Sequence, residues 1–507
     1  MAARVISRRI EPFIREKTVE YLRQRFDSDV EIAALRVSMP IGSPLGMLLR
    51  RGRGAEARVT AEGISLWHKH RRDRPPLLAM SKFTFQVKLD SLWNRPVRVT
   101  MVRLEGLRIT VPPKGPRASR AEQSTPQTSD KKDAKPSVFI DTIIADGAQL
   151  FVLPKDPKKE PLEFAIRKLK LESAGPGIAL RYTAELTNPK PPGLIHCQGQ
   201  FGPWVSADPS DTPLDGKYVF ANADLSVFKG IAGRLDSTGK FEGTLDNIVA
   251  DGETRTPDFR LTVSGNPVPL QIKYHAIIDG GNGNTLLQPL EATLGRTRFV
   301  VRGGVVRGIG ESGKTVALDV VFREGYIEDL MRLAMKGPLP MMRGPIDLKV
   351  KMQWPPGKGD IADKLQLSGT FALREARFTS ATVRDKIDGL SSRAQGTPGD
   401  KPEDEVRATL DGSFRLTKGV IEFSRLRFTI PGADVALIGT YTFEKEAVDF
   451  RGKLRLQAKI SQTMTGWKRW ALKPADPFFA KDGAGTQLQI RIDGTRDQPR
   501  FGRDRKK

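Results

Sequence analysis

What most constrains this chain is a period-two alternation of apolar and polar residues, restarted again and again by glycine or proline. From Val30 onward it runs through VEIAALRVSMP, ARVTAEGISLW, SKFTFQVKLDSL and VRVTMVRLEGLRITVPP. Such short alternating runs at close spacing are strand signals. A recurrent device is glycine, any residue, then an aromatic. It occurs at Gly199 and Phe201, Gly216 and Tyr218, Gly239 and Phe241, Gly369 and Phe371, Gly412 and Phe414, and Gly439 and Tyr441. Alternation then continues through Phe414 and Leu416, Tyr441 and Phe443, and Leu454, Leu456, Ala458 and Ile460. One side of each strand is apolar while the other carries Arg, Lys, Thr and Ser. Antiparallel sheets with one wet face give this pattern, whereas doubly covered parallel strands read as continuous apolar runs. The irregular spacing points to successive hairpins rather than a formal repeat.

Helical periodicity is scarce. Residues 8–26 place Ile10, Phe13, Ile14, Tyr21, Leu22 and Phe26 at helical spacing amid charge, which predicts one amphipathic helix. A second helical face gathers Ile327, Leu330, Met331 and Ala334, and Gln462–Leu472 holds a short turn. Residues 112–137, PPKGPRASRAEQSTPQTSDKKDAKPS, have too little apolar surface to offset the entropy of ordering, which predicts a disordered loop or linker. The expected organisation is therefore an N-terminal region over 1–111 with the amphipathic helix and strands, the linker, and a β-rich body over 138–507. A length of 507 residues suits about three domains or one elongated body.

Lys and Arg exceed Asp and Glu by 24, and residues 1–110 hold 22 basic against 11 acidic side chains. Such a charge attracts anions, either nucleic acid or acidic headgroups. The basic clusters Arg50-Arg51-Gly-Arg53, Lys69–Arg74 and Arg500–Lys507 lie beside no helix-turn-helix, zinc finger or RNA-binding signature, so an anionic membrane surface is expected ahead of nucleic acid. One cysteine, Cys197, excludes an intramolecular disulfide framework and a multi-cysteine zinc site. No run of 18 apolar residues and no leader-like apolar segment is present.

Several motifs invite a chemical reading. Gly308 to Thr315, GIGESGKT, satisfies a nucleotide-binding loop pattern, but a working loop opens a helix whose N-terminus cradles phosphate. The β-branched run from Val316 to Phe322 predicts a strand there instead, so a hairpin is expected. Asp279–Asn284, DGGNGN, shares only composition with a calcium loop and predicts a tight turn. His68 and His70 sit in the basic stretch HKHRRDR, where a solvated face is expected rather than a metal site, and His196-Cys197 reads as a half-buried strand position. No catalytic residue, cofactor site or metal site is assigned.

Taken in order along the chain, these patterns resemble the AsmA-like family of bacterial envelope proteins, over nearly the whole length. EYLRQRFDSDVEIAALRVS (20–38), ARVTAEGISLWHK and PPLLAMSKFTFQV resemble the family's opening region, and VFIDTIIADGAQLFVLP (138–154) its middle. GSFRLTKGVIEFSRLRFTIPGADVALIGTYTF (412–443) and GAGTQLQIRIDGTRDQPRFG (483–502) resemble the AsmA-like C-terminal region. The resemblance implies an elongated, curved antiparallel β-sheet forming an open groove with an apolar inner face. Such a protein lies in the periplasm and carries phospholipid between inner and outer membranes. Family members begin with an inner-membrane anchor, so an anchor preceding Met1 is expected, and 112–137 is an insertion.

A lipid conduit also has a physical rationale. Each acyl CH₂ returned to water costs about 0.8 kcal/mol, so some thirty of them resist leaving a bilayer by roughly 20 kcal/mol. A continuous apolar track removes that cost, and two-faced strands build one while the ladder satisfies the backbone. Phe371, Phe414, Tyr441, Phe443, Leu454 and Leu456 are the expected lining residues. The same alternation fills an ordinary β-sandwich core, so groove and sandwich both remain open at this point. A scaffold or regulator of outer-membrane protein assembly is the alternative function, with envelope proteins as partners. A P-loop nucleotide-binding protein is a further one.

Overall fold

The computed structural model describes residues 2–38, 56–88, 97–112, 138–153, 161–175, 177–189, 191–308, 313–337, 339–357, 361–398, 400, 406–465, 468, 472–476, 485–495 and 498–503. The chain is mostly β with few helices, as its alternation requires. It forms two compact units, the first from Met1–Ala223, Asp236–Gly252 and Ala276–Asn284, the second from Asp224–Leu235, Glu253–His275 and Thr285–Lys507.

The first unit opens with a helix over Ala2–Phe26, matching the predicted amphipathic segment. Its strands are β1 (Ser28–Ser38), β2 (Glu56–His68), β3 (Leu78–Lys88), β4 (Val97–Glu105), β5 (Arg108–Val111), β6 (Val138–Val152), β7 (Leu162–Ala174), β8 (Leu180–Pro189), β9 (Pro192–Phe201) and β10 (Pro213–Asp224). Antiparallel pairing joins β1 to β2, β2 to β3, and each strand from β6 to β10 to the next. At one place the expected antiparallel order gives way, because β4 and β5 both run parallel to β6. Parallel neighbours need a crossover of a dozen residues or more. The predicted linker at 112–137 is the segment that joins β5 to β6; beyond Pro112 it lies outside the described residues. Helix and sheet meet through Ile14, Val19, Leu22 and Phe26, which pack against Ile32, Ile64 and Leu66.

Five shorter or connecting strands follow: β11 (Ile231–Ala232), β12 (Arg234–Thr244), β13 (Asn247–Thr256), β14 (Arg260–Leu261) and β15 (Leu270–Asp279), of which β11 and β14 form a separate antiparallel pair. The second unit then builds β16 (Thr285–Leu294), β17 (Thr297–Val306), β18 (Thr315–Tyr326), β19 (Met342–Arg343), β20 (Pro345–Trp354), β21 (Gln366–Phe378), β22 (Ala408–Thr417), β23 (Val420–Ile430), β24 (Ala433–Thr442), β25 (Ala447–Leu456), β26 (Thr486–Thr495) and β27 (Pro499–Arg503). Each of these strands pairs antiparallel with its neighbour in the chain, except that β18 pairs with β20 and the short β19 with β21.

Helices cover the strand ends on one side of this second sheet. The helix Ile327–Ala334 is the one predicted from Ile327, Leu330, Met331 and Ala334. It is fixed by Asp329, whose carboxylate accepts from the Arg296 backbone N–H at 2.9 Å and the Thr297 hydroxyl at 2.9 Å. A second helix, Ala381–Gln395, was not expected. Ile387, Leu390 and Ala394 recur at helical spacing and pack on the core around Leu373, Ile430 and Leu456. Gly396 ends it in the left-handed region at φ 85°, where glycine carries no Cβ penalty. The expected turn at Gln462–Leu472 is described only in part, as a short 3₁₀ segment at Ile460–Thr463.

Candidate binding face

The register of the second unit places its alternating apolar residues on one side of every strand. One row begins at Leu290 on β16 and passes Val301, Val320 and Val350 to Gly369 on β21. Past Gly369 it reaches Phe414, then Phe423, Gly439, Phe450 and Ile492 on β26. With neighbouring strands ~4.8 Å apart, the row is on the order of 45 Å long. Asp, Glu, Arg and Lys are absent from it. They stand on the opposite side, where Arg425 pairs with Asp411 at 3.4 Å and Arg491 with Asp449 at 3.6 Å.

The glycine and aromatic device has a geometric meaning here. Gly369-Thr-Phe371 and Gly412-Ser-Phe414 pair antiparallel, so Phe371 faces Gly412 and Phe414 faces Gly369. Each ring thus has a bare backbone beside it on the next strand. A Cβ on Gly412 would stand 2.8 Å from the Phe371 ring, and one on Gly439 would stand 2.7 Å from the Phe450 ring. Aromatic rings laid across strand glycines restore the packing that a missing side chain forfeits. The first unit uses the same device at Tyr182, which faces Gly199 and donates its hydroxyl to the Asp215 carbonyl at 3.0 Å. Burial there pushes the Tyr182 phenol upward, and the Cys197 thiol, next to Ala184, up to about 11.

Phe371, Phe414, Phe423 and Phe450 form a linked cluster, with ring centroids 6.3 Å apart for Phe371 and Phe414, 6.5 Å for Phe414 and Phe423 and 5.8 Å for Phe423 and Phe450. All four are half-buried rather than enclosed. Among the expected lining residues, Phe371, Phe414, Tyr441 and Leu454 share this half-buried face. Phe443 stands just past the end of β24, 36% exposed, with its ring 5.3 Å from that of Tyr441. Leu456 lies deeper, in the buried core beside the helix Ala381–Gln395. Phe423 escapes the simple reading because β23 carries a bulge at Ser424, which breaks the alternation between Phe423 and Leu426; Phe450 joins the face through the unbroken alternation of β25. The signal for the bulge was two successive polar residues, Ser424 and Arg425, inside an otherwise alternating run.

Other candidate chemistry resolves into structure. Lys314 and Thr315 lead into β18, which is antiparallel to β17, so no helix follows Gly313; residues 309–312 lie outside the described residues. Asp279 closes a turn on itself, accepting from the Gly281 N–H at 2.9 Å and the Asn282 side chain at 2.7 Å. The Nδ1 atom of His68 donates to the Phe26 carbonyl at 3.3 Å, while that of His70 lies 2.6 Å from Asp29. Among the described residues no cluster of three or more His, Cys, Asp and Glu could hold a metal. A concavity of about 940 Å³ opens among β15 to β18, but its lining mixes Lys273, Arg298, Arg302 and Arg323 with Glu291 and Asp319, which defines no ligand class. Of the basic clusters, Arg50 to Arg53 and residues 504–507 lie outside the described residues.

No helix among the described residues is long and apolar enough to cross a membrane. No protein-family model, curated protein or solved structure significantly matches this chain.

Proposed function

We propose that this chain is a non-enzymatic, AsmA-like envelope protein that binds or conducts phospholipid between inner and outer membranes along the apolar face of its sheet, in the periplasm. One observation carries the reading: an uninterrupted apolar row whose aromatics remain half-buried, backed by a face of ion-paired charges. In a closed sandwich core, rings at such central positions interdigitate with a second sheet and leave water almost entirely. A partly exposed aromatic row keeps an unfavourable contact with water that acyl chains would remove, at about 25 cal/mol per Å². The order of the glycine, proline and apolar patterns along the chain supports the family reading.

The test is mass spectrometry of lipid co-purified with the full chain after a high-salt wash. Salt screens headgroup attraction, so what remains is held by apolar contact. Near-stoichiometric phospholipid is expected from the unaltered protein, and its loss from Phe414→Glu and Phe450→Glu variants that keep their β circular dichroism. A folded, unaltered protein that retains no lipid overturns the reading.

A further inference from the structure

Three segments of the second unit are tied together at the end of the helix Ile327–Ala334. The Asn266 side-chain amide donates to the carbonyls of Met335 at 2.9 Å and Gly337 at 2.8 Å, which fixes the loop around Val263 to the helix end. Thr379 fixes the third segment. Its N–H donates to the Met341 carbonyl at 3.0 Å and its hydroxyl to the Pro340 carbonyl at 2.6 Å, just before the helix Ala381–Gln395 begins. The segments held in this way each present an apolar side chain to water: Leu339 is 74% exposed, Val263 47%, Met341 42% and Val383 38%. Scattered exposed apolar residues are ordinary, but several on segments bound to one another mark an interaction surface.

The charge around this patch is unbalanced. Arg343 on β19 stands directly opposite Arg377 on β21. Like charges in that position repel across the strand pair. Neither guanidinium has an ion-pair partner among the described residues, and the same holds for Arg332 and Lys336 at the helix end, although Arg374 and Arg407 nearby are paired with Asp347 and Glu375. On the second helix Arg384 and Lys386 offset Asp385 and Asp388, so the excess stays positive.

We propose that this patch seats the protein on an anionic bilayer surface, with Leu339, Met341, Val263 and Val383 entering the acyl boundary and Arg343, Arg377, Arg332 and Lys336 meeting the phosphates. A bilayer interface offers negative charge and hydrocarbon within a few ångströms of each other, which is the combination these side chains present. The docking does not depend on lipid being held along the sheet face.

Flotation of the full chain with vesicles tests it, using phosphatidylcholine with or without about a third phosphatidylglycerol, enough to give an anionic surface. The unaltered protein floats with the anionic vesicles. Arg343→Ser with Arg377→Ser weakens that binding about 30-fold, from about 1 kcal/mol per basic residue at the surface. Leu339→Ser with Met341→Ser weakens it at both low and high salt. These positions are exposed, so the variants keep the thermal melt of the unaltered protein. Phe414→Glu floats normally, which separates docking from lipid held on the sheet face. Protein that stays at the bottom of the gradient with anionic vesicles overturns the proposal, as do both patch variants floating like the unaltered chain.

Discussion

The two units treat the same kind of strand in opposite ways. In the first, the helix Ala2–Phe26 packs on the apolar side of β1 and β2, and Ala57, Val59, Ala61 and Leu66 have no contact with water at all. In the second, the apolar side of β21 to β25 is helix-covered only at one end of the strands, where Leu373, Ile430 and Leu456 are buried, while the ring cluster around Phe414 and Phe423 stays half-buried. The residue types follow the covering. Alanine and valine under the first helix let a second layer approach closely, whereas the second sheet spreads large rings over its own glycines and so shields part of its face without a second layer. Strand alternation decides that one side avoids water, and a separate element decides how completely.

The comparison can be broken most directly by matched truncations. Leu66→Ala should lower unfolding free energy by about 2–5 kcal/mol, the usual result of a cavity in a closed core. Phe414→Ala should cost about half as much, because part of its ring already meets water. Urea unfolding of both reads the difference, and equal costs would mean that Phe414 is as enclosed as Leu66. An effect of similar size to that of Phe414→Ala, about 1–3 kcal/mol, is expected for Gly412→Ala, whose new methyl would push the Phe371 ring aside. Its lipid retention should fall together with stability if the ring and glycine lattice shapes the binding face. Retention unchanged at lowered stability would assign the lattice to folding alone.

The smallest effect concerns the covered face and pH. Burial holds the His68 pKa below its ordinary value, while its Nδ1–H donates to the last carbonyl of the covering helix at Phe26. As pH falls below about 6.5 the unfolded chain binds the proton first, so stability is complete above that pH and declines beneath it. Urea midpoints measured across that range should drop for the unaltered chain and change less for His68→Gln. Equal slopes would remove His68 from the account of how the helix is held.

Much of this was legible in residue order. Alternation gave strand after strand, and Ile14, Leu22 and Phe26 marked the helix face that packs on β1 and β2. The β-branched run after Lys314 separated a hairpin from a phosphate-binding turn, because Val316, Val320 and Val321 favour a strand over a helix there. The helix Ala381–Gln395 is not legible in the sequence, because its apolar positions, Ile387, Leu390 and Ala394, are few and lie among charges. The parallel placement of β6 was not legible, since pairing partners are chosen by contacts distant in sequence.

The sequence by itself determined the β class, the two-faced strands, the N-terminal amphipathic helix and the recurrence of glycine two residues before an aromatic. These follow from local sterics and from the period of the backbone. Tertiary structure alone decided that Leu456 is enclosed while Phe414 is not, that the bulge at Ser424 brings Phe423 into line with Phe450, and that Arg343 meets Arg377. Burial is a property of what lies above a side chain, and nothing in an alternating strand records what the rest of the chain will place there.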